Sequence, residues 1–180
     1  MARRVVAVVL AAGQSTRFGG DKLLHKLGDR PLGAHIAATL MDLPLAARLA
    51  VIPQDSPRRA LYSGFEIIEN PHPSRGMGTS LALGATRAIA LDADALLVCL
   101  ADMPYVGTLH LAALLATEGP VVATVASGIR SPPALFSREI LPLLATLTGD
   151  AGARDLIRSA TTITADAAML RDFDTPADFA

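Results

Sequence analysis

The sequence predicts an α/β fold, a three-layer α/β/α sandwich built around a mostly parallel, twisted sheet. Apolar runs of strand length alternate along the chain with longer stretches whose apolar residues have helical spacing. This alternation predicts right-handed crossovers and a sheet that is covered on both faces. The chain has 180 residues, of which 51% are hydrophobic and 18% charged, enough for a substantial core. We therefore expect a single domain over residues 1–180.

The individual elements follow from these apolar runs and from the residues that flank them. Apolar runs predict strands at residues 4–10, 49–52, 65–68, 94–100, 121–125 and 161–164. Helical spacing predicts helices at residues 31–40, 79–91, 106–117, 138–147 and 151–159, the first with Pro31 in its first turn. Residues 127–137 contain Pro132 and Pro133 and are expected to form an irregular insertion within the same domain.

Charge and apolar content argue against several classes of protein. A formal net charge of −1 disfavours a nucleic-acid-binding or membrane-surface protein. No run reaches the roughly 18 apolar residues of a membrane span, and the apolar start has only the minimum length of a signal-peptide core. We therefore expect a cytoplasmic protein. The single cysteine, Cys99, lies in an apolar run and is expected to be a buried side chain rather than a reactive thiol.

The most informative segment, residues 10–22, follows the first predicted strand. Its glycines allow backbone N–H groups to approach a ligand closely, and successive N–H groups form a concave anion site. Residues 1–30 carry six basic residues against two acidic ones, so positive charge accompanies this loop. A strand that leaves a sheet into such a loop is where α/β proteins bind phosphates. The segment therefore predicts a phosphate-binding loop, with candidate residues Leu10, Ala11, Ala12, Gly13, Ser15, Arg17 and Lys22.

Two better-known phosphate loops do not match this segment. No Ser or Thr follows Lys22, and the glycine spacing differs from that of G-x-x-x-x-G-K-[ST]. The segment also lacks the G-x-G-x-x-G spacing of dinucleotide-binding loops, which disfavours a nicotinamide-dependent oxidoreductase.

A second candidate residue, Asp102, follows the predicted strand at residues 94–100 directly. This position places its carboxylate at the carboxyl end of the sheet, on the same edge as the glycine-rich loop. Mg²⁺ prefers oxygen ligands and is usually held by one or two carboxylates together with substrate phosphates. An aspartate shortly before a proline, here Pro104, is also common in turns and as a helix cap. In combination with the loop, we interpret Asp102 as a Mg²⁺ ligand.

A third segment, residues 70–80, leads through a tight turn into the predicted helix at residues 79–91. Exposed N–H groups at the start of that helix could bind an anion or the polar edge of a base. The candidate nucleotide-binding residues here are Gly76 and Ser80. Ser80 is equally consistent with a purely structural role at the start of the helix.

The spacing L-A-A-G-x-S-x-R-x-G-x-x-K resembles the signature of the molybdenum cofactor guanylyl- and cytidylyltransferases. Further segments resemble the same family: L-x-D-M-P around Asp102, N-x-x-x-x-x-G-x-x-x-S at residues 70–80, G-D-x-G-A-R at residues 149–154, and D-x-D-T-P-x-D at residues 172–178. The resemblance covers nearly the whole chain. It is best with the cytidylyltransferase branch, because Ala12 stands where the guanylyl branch tends to have glycine.

The resemblance implies a Rossmann-like fold of the nucleotide-diphospho-sugar transferase type. It implies transfer of CMP from CTP to molybdopterin carrying molybdenum, with release of pyrophosphate and formation of molybdopterin cytosine dinucleotide. The implied catalytic residues are Arg17, Lys22 and Asp102, and Gly76 and Ser80 would border the base and ribose. Mg²⁺ would be bound by Asp102, with Asp174 as a possible second ligand.

The chain departs from this family in one segment, and three alternatives stay open. Ser131 and Pro132 stand where the branch commonly has glycine and histidine, on the side of the acceptor, so the acceptor remains open. One alternative is the same chemistry with GTP or with another phosphorylated acceptor. Another is a non-catalytic protein that binds the cofactor and delivers it to a molybdenum hydroxylase client. The third is the disfavoured oxidoreductase.

Overall fold

The computed structural model describes residues 3–149, 152–171 and 173–179. Its strands are β1 (Val5–Leu10), β2 (Lys26–Leu27), β3 (Arg30–Pro31), β4 (Ala47–Pro53), β5 (Glu66–Asn70), β6 (Ala95–Leu100), β7 (Val121–Ala126), β8 (Ile129–Ser137) and β9 (Thr161–Thr164). Its α-helices are α1 (Leu32–Met41), α2 (Met77–Ala90), α3 (Thr108–Ala116), α4 (Leu141–Leu144) and α5 (Gly152–Arg158). Short 3₁₀ helices span Lys22–Leu24, Pro57–Leu61, Pro73–Arg75, Ala167–Leu170 and Pro176–Phe179.

Seven strands form one sheet in the order β5-β4-β1-β6-β8-β7-β9, and β2 pairs with β3 in a small separate hairpin. Strands β5, β4, β1 and β6 are parallel neighbours, and β9 is parallel to β7. Strand β1 is buried along its whole length, as expected for a central strand of a sheet that is covered on both faces. The prediction of an α/β fold with a mostly parallel sheet is therefore confirmed.

The two faces of the sheet carry separate hydrophobic clusters, because side chains alternate along each strand. Ala7 and Val9 of β1 face the cluster that contains apolar residues of α1 and α3. Val6 and Val8 face the cluster that contains apolar residues of α2, α4 and α5. The molecule is thus a three-layer sandwich, as predicted. In the described part of the chain, no helix is both long enough and apolar enough to cross a membrane.

The prediction of an irregular insertion at residues 127–137 is wrong. Strand β8 occupies most of this segment and lies inside the sheet, antiparallel to both β6 and β7. The register against β7 shifts between Ala123 and Thr124, so that Pro132 and Pro133 are left out of the ladder. Proline has no N–H to donate to a neighbouring strand and is confined to edges and bulges of sheets. The two prolines predicted a loop, and the bulge explains how a central strand accommodates them.

Two predicted helices are also corrected. The predicted helix at residues 138–147 is helical only at α4, because Pro142 has no N–H to donate to the carbonyl of Arg138 and so belongs in a first turn. Helix α1 begins at Leu32, so Pro31 precedes its first turn and pairs in β3 instead. The predicted helix at residues 151–159 corresponds to α5. Asp150, Ala151 and Asp172 lie outside the described residues.

Candidate active site

The glycine-rich loop and Asp102 meet at one edge of the sheet because their strands are parallel neighbours in register. Leu10 at the end of β1 pairs with Leu100 at the end of β6. The segments that follow these two strands therefore leave the sheet side by side. Between them and the start of α2 lies a cleft of about 390 Å³. Its lining residues are Leu10, Ala11, Ala12, Gly13, Gln14, Ser15, Thr16, Lys22, Leu23, Pro73, Ser74, Gly76, Met77, Ser80, Leu100, Ala101 and Asp102.

Lys22 is the centre of a charged network at this edge. Its ammonium Nζ lies 2.7 Å from Oδ2 of Asp102 and 2.8 Å from Oδ1 of Asp174. Burial alone would lower the pKa of Lys22, but the charges and hydrogen bonds of the two carboxylates outweigh burial and raise it. Lys22 is therefore a fixed positive charge at neutral pH. The network joins three regions of the sequence, since Asp174 belongs to the C-terminal segment.

Arg17 is placed differently from the other residues of the predicted loop. It does not line the cleft, and its side chain is 73% exposed. Its guanidinium pairs with Oδ2 of Asp174 at 2.7 Å, so Asp174 bridges Arg17 and Lys22. The remaining predicted nucleotide-binding residues all border the cleft: Leu10, Ala11, Ala12, Gly13, Ser15, Lys22, Gly76, Ser80 and Asp102.

The backbone of the loop presents a run of unsatisfied donors. Within the described part of the chain, no acceptor takes a hydrogen bond from the N–H groups of residues 12–15. Ser15 has a left-handed backbone conformation with φ of 51°, and its buried Oγ has no partner among the described residues. Unpaired polar groups beside a cleft are the donors that an anionic ligand requires.

The opposite wall of the cleft is organised by Asn70, which opens the N-x-x-x-x-x-G-x-x-x-S motif but was not among the predicted site residues. Its Nδ2 donates to Oγ1 of Thr79 at 3.0 Å and to Oγ of Ser80 at 2.9 Å. Its Oδ1 accepts a hydrogen bond from the N–H of His72 at 2.8 Å. Asn70 thus fixes the start of α2 against the end of β5. The motif was the available signal, because the predicted strand ended at residue 68 and only the structure extends it to Asn70, at the functional edge of the parallel sheet.

Arg58 is the second residue that sequence reasoning missed. It lies in the 3₁₀ helix Pro57–Leu61, is only 4% exposed, and reaches the back of the glycine-rich loop. There it donates to Asp21 and to two backbone carbonyl groups. An arginine in a short surface-type sequence such as Ser56-Pro57-Arg58 gives no sequence signal of burial.

A second cavity, of about 600 Å³, adjoins the cleft and shares Met77 and Leu100 with it. It is bounded by the start of β8 and by α5. Three arginines contribute to its wall: Arg130, Arg154 and Arg158. Arg158 lies 3.4 Å from Asp155, whereas Arg130 and Arg154 have no ion-pair partner among the described residues.

Comparisons with known proteins identify the family of the chain. The family model of the MobA-like NTP transferase domain matches residues 7–165. The chain is 30% identical to the purine catabolism protein PucB of Bacillus subtilis (strain 168), over 97% of this chain and 94% of that protein. The chain belongs to the MobA-like NTP transferase family. The resemblance to the molybdenum cofactor nucleotidyltransferases is thereby confirmed at the level of the family.

One further relative and one solved structure are also similar to this MobA-like chain. It is 30% identical to a probable molybdenum cofactor guanylyltransferase of Pyrococcus horikoshii, over 52% of this chain and 51% of that protein. The crystal structure of Rv0371c from Mycobacterium tuberculosis H37Rv superposes with a TM-score of 0.85, covering 99% of this chain and 97% of that one at 23% identity. Rv0371c has also been solved in complex with manganese. At this identity the structural match shows the fold.

The residues of this MobA-like chain that fit a divalent cation are Asp102 and Asp174. Both carboxylates already contact one cation, the Lys22 ammonium, so the space between them accepts positive charge. Among the described residues, no group of three or more His, Cys, Asp and Glu side chains is arranged to hold a metal. A pair of carboxylates suits Mg²⁺, which takes one or two carboxylates and completes its shell with water and substrate phosphates.

Proposed function

We propose that the chain transfers CMP from CTP to molybdopterin carrying molybdenum, forming molybdopterin cytosine dinucleotide and releasing pyrophosphate. One observation carries this proposal. Nζ of Lys22 lies 2.7 Å from Oδ2 of Asp102, beside a loop in which the N–H groups of residues 12–15 have no acceptor among the described residues. A nucleoside triphosphate requires such a combination of fixed positive charge, backbone donors and a carboxylate that can share a cation with phosphate.

The reaction requires placement and charge more than a reactive side chain. The terminal phosphate of the acceptor attacks the α-phosphorus of the nucleotide, so two anions must approach each other. The N–H groups of Ala12–Ser15 and Lys22 would offset their repulsion, and Arg17 would add positive charge from outside the cleft, where it pairs with Asp174. Mg²⁺, when bound by Asp102 and Asp174, would supply further neutralisation of the phosphates. No covalent protein intermediate is needed, because placement and charge supply the acceleration.

The base and ribose are assigned to the wall formed by Gly76 and Ser80. Asn70 holds Ser80 rigidly through a buried hydrogen bond, so this wall is preorganised for a ligand. The preference for CTP rests on Ala12, which follows the cytidylyltransferase pattern. The guanylyltransferase name of the Pyrococcus horikoshii relative supports GTP as the alternative nucleotide.

The acceptor is assigned to the second cavity. It adjoins the cleft through Met77 and Leu100, and the exposed guanidinium groups of Arg130 and Arg154 suit a phosphorylated ligand. The name of PucB connects that relative with purine catabolism. A molybdenum hydroxylase as the client of this chain stays a prediction.

The experiment that tests the proposal begins with thermal unfolding in the presence of each of the four nucleoside triphosphates, with and without Mg²⁺. We expect CTP with Mg²⁺ to raise the melting temperature most. Pyrophosphate release would then be measured with CTP or GTP and molybdenum-loaded molybdopterin. Faster release of pyrophosphate with GTP than with CTP would show that GTP, and not CTP, is the nucleotide. Binding of the acceptor without any pyrophosphate release would favour a non-catalytic delivery protein instead.

A further inference from the structure

We propose that Arg58 is the positioning residue of the phosphate loop: it holds the carbonyl groups of Ala11 and Gly13 so that the N–H groups of Ala12 and Gln14 face the nucleotide phosphates. The inference rests on the proposed nucleotide site and adds a residue that touches no substrate. Arg58 is absent from the lining of the cleft and lies behind the loop. Its role is therefore exerted through the backbone.

The contacts of Arg58 are made with carbonyl groups on one side of the loop. Its NH1 group donates to the carbonyl oxygen of Ala11 at 2.5 Å and to that of Gly13 at 2.8 Å. Both peptide bonds are trans, and in a trans peptide the carbonyl and the following N–H point in opposite directions. Holding these two carbonyls therefore directs the N–H groups of Ala12 and Gln14 away from Arg58. Ala12 and Gln14 are lining residues of the cleft, and their N–H groups have no acceptor in the described part of the chain.

The same guanidinium also holds the far end of the loop. Its Nε donates to Oδ2 of Asp21 at 2.7 Å. The other oxygen of Asp21 accepts from the N–H of Leu23 at 3.1 Å and so caps the 3₁₀ helix Lys22–Leu24 that carries Lys22. One buried side chain thus joins the beginning and the end of the loop, and it sets the N–H groups and Lys22 relative to each other.

These contacts require the shape of arginine and not only its charge. The planar guanidinium presents several donors in a fixed arrangement, whereas the ammonium of lysine is a compact point charge on a flexible stem. The side chain of Arg58 is 5% exposed, so water cannot replace a lost donor easily. A lysine at this position would retain the positive charge behind the loop but could not hold Asp21 and both carbonyls together.

The neighbouring residue supplies a matched control. Arg59 lies in the same 3₁₀ helix, is 58% exposed, and pairs with Glu69 rather than with the loop. The experiment compares Arg58→Lys and Arg58→Met with Arg59→Lys and Arg59→Met. Binding of CTP with Mg²⁺ and of inorganic pyrophosphate is measured by calorimetry, and the backbone amide resonances of Ala12 and Gln14 are followed by NMR.

We expect both Arg58 variants to bind CTP and pyrophosphate at least tenfold more weakly than wild type, while the Arg59 variants bind normally. The Ala12 and Gln14 amide resonances should shift with pyrophosphate in wild type and in Arg59→Lys, and should not shift in Arg58→Lys. If Arg58→Met does not fold, Arg58→Lys decides. The inference is overturned, and the proposed function is not, if Arg58→Lys binds both ligands with wild-type affinity and its Ala12 and Gln14 amide resonances shift with pyrophosphate as they do in wild type. A wild-type chain that binds neither ligand overturns the proposed function and this inference with it.

Discussion

The nucleotide cleft and the cavity assigned to the acceptor are neighbours, yet they are built in different ways. In the cleft, backbone groups and buried charges determine the arrangement: β1 and β6 are parallel and in register, and Lys22 is only 12% exposed between two carboxylates. In the second cavity, the charged groups are arginines on exposed parts of β8 and α5. The first site is therefore fixed by the sheet itself, whereas the second depends on side chains that can vary without disturbing the core.

The largest effect is expected from Asp102→Asn, which removes a charge from the cleft and preserves the shape of the side chain. Lys22 keeps Asp174 as a partner, so the fold should persist. We expect kcat to fall by about 10²–10³-fold, comparable to the loss of one donor from an oxyanion hole. Steady-state pyrophosphate release with CTP and the acceptor measures the loss.

The control for this variant is Asp92→Asn. Asp92 lies just before β6 as Asp102 lies just after it, is 77% exposed, and has a left-handed φ of 54° that asparagine also tolerates. We expect it to retain wild-type activity. If Asp102→Asn retained more than a tenth of wild-type kcat, the Asp102 carboxylate would not take part in the reaction, and the assignment of the cleft as the active site would be contradicted.

The next effect is expected at Gly78, where the two regions meet. A Cβ added to Gly78 would lie 2.5 Å from the backbone oxygen of Gly149, and the Gly78 N–H already donates to that oxygen at 2.7 Å. Helix α2 and the residues before α5 would have to separate. We expect Gly78→Ala to lower the free energy of unfolding by about 1–3 kcal/mol, the range for overpacking. Chemical denaturation measures this, and Gly20→Ala, where a Cβ meets open space, should change stability little. Equal stability of the two variants would contradict the tight contact.

The difference between the regions also explains which parts the sequence could predict. Val5–Leu10 and Ala95–Leu100 are continuous apolar runs that end in polar segments, so both the strands and the edge that they share follow from local patterns. The proximity of Lys22 and Asp102 follows in turn from parallel pairing. The direct contact between Lys22 and Asp102 could not be predicted from the sequence. Both side chains are mostly shielded from water in the structure, and the ion pair offsets the cost of desolvating the two charges.

The second cavity depends on features that have no local signal. A strand that contains Pro132 and Pro133 resembles a loop until its partner β7 is known to shift register beside it. Arg58 was missed for a related reason, since its three acceptors lie 37 or more residues away in sequence. Long-range contacts of this kind follow from tertiary packing, which the pattern of a single segment does not encode.

A smaller effect on KM is expected at Arg154. It would test whether the second cavity binds the acceptor while the cleft binds CTP. Arg154→Met should raise KM for the molybdopterin acceptor about tenfold, because an exposed hydrogen bond to a charged group contributes at the lower end of its range. KM for CTP should not change. Arg87→Met is the control, since Arg87 is an exposed arginine paired with Glu66 on the other side of α2. A parallel rise of both KM values in Arg154→Met would mean that the two sites are not separate.

The smallest effect is a pH dependence of the free energy of unfolding, which arises from a hydrogen-bonded histidine beside β8. Thr124 Oγ1 donates to the carbonyl of Pro133 at 2.8 Å, so it must accept its other hydrogen bond from Nε2–H of His110, also at 2.8 Å. Burial lowers the pKa of His110 below its ordinary 6.5, which favours the neutral ring in the folded state.

The sign of the dependence follows from that shift. The unfolded state binds the proton more readily, so the contribution of His110 is complete above pH 6.5 and declines as the pH falls below it. We expect the free energy of unfolding to fall between pH 7 and 5 more steeply in wild type than in His110→Gln, by at most about 1.4 kcal/mol per pH unit. Denaturation at each pH gives the two slopes. His72→Gln, at an exposed histidine outside this network, should keep the wild-type slope. If His110→Gln kept it as well, the bulge of β8 would be held by Thr124 without any contribution from a neutral imidazole.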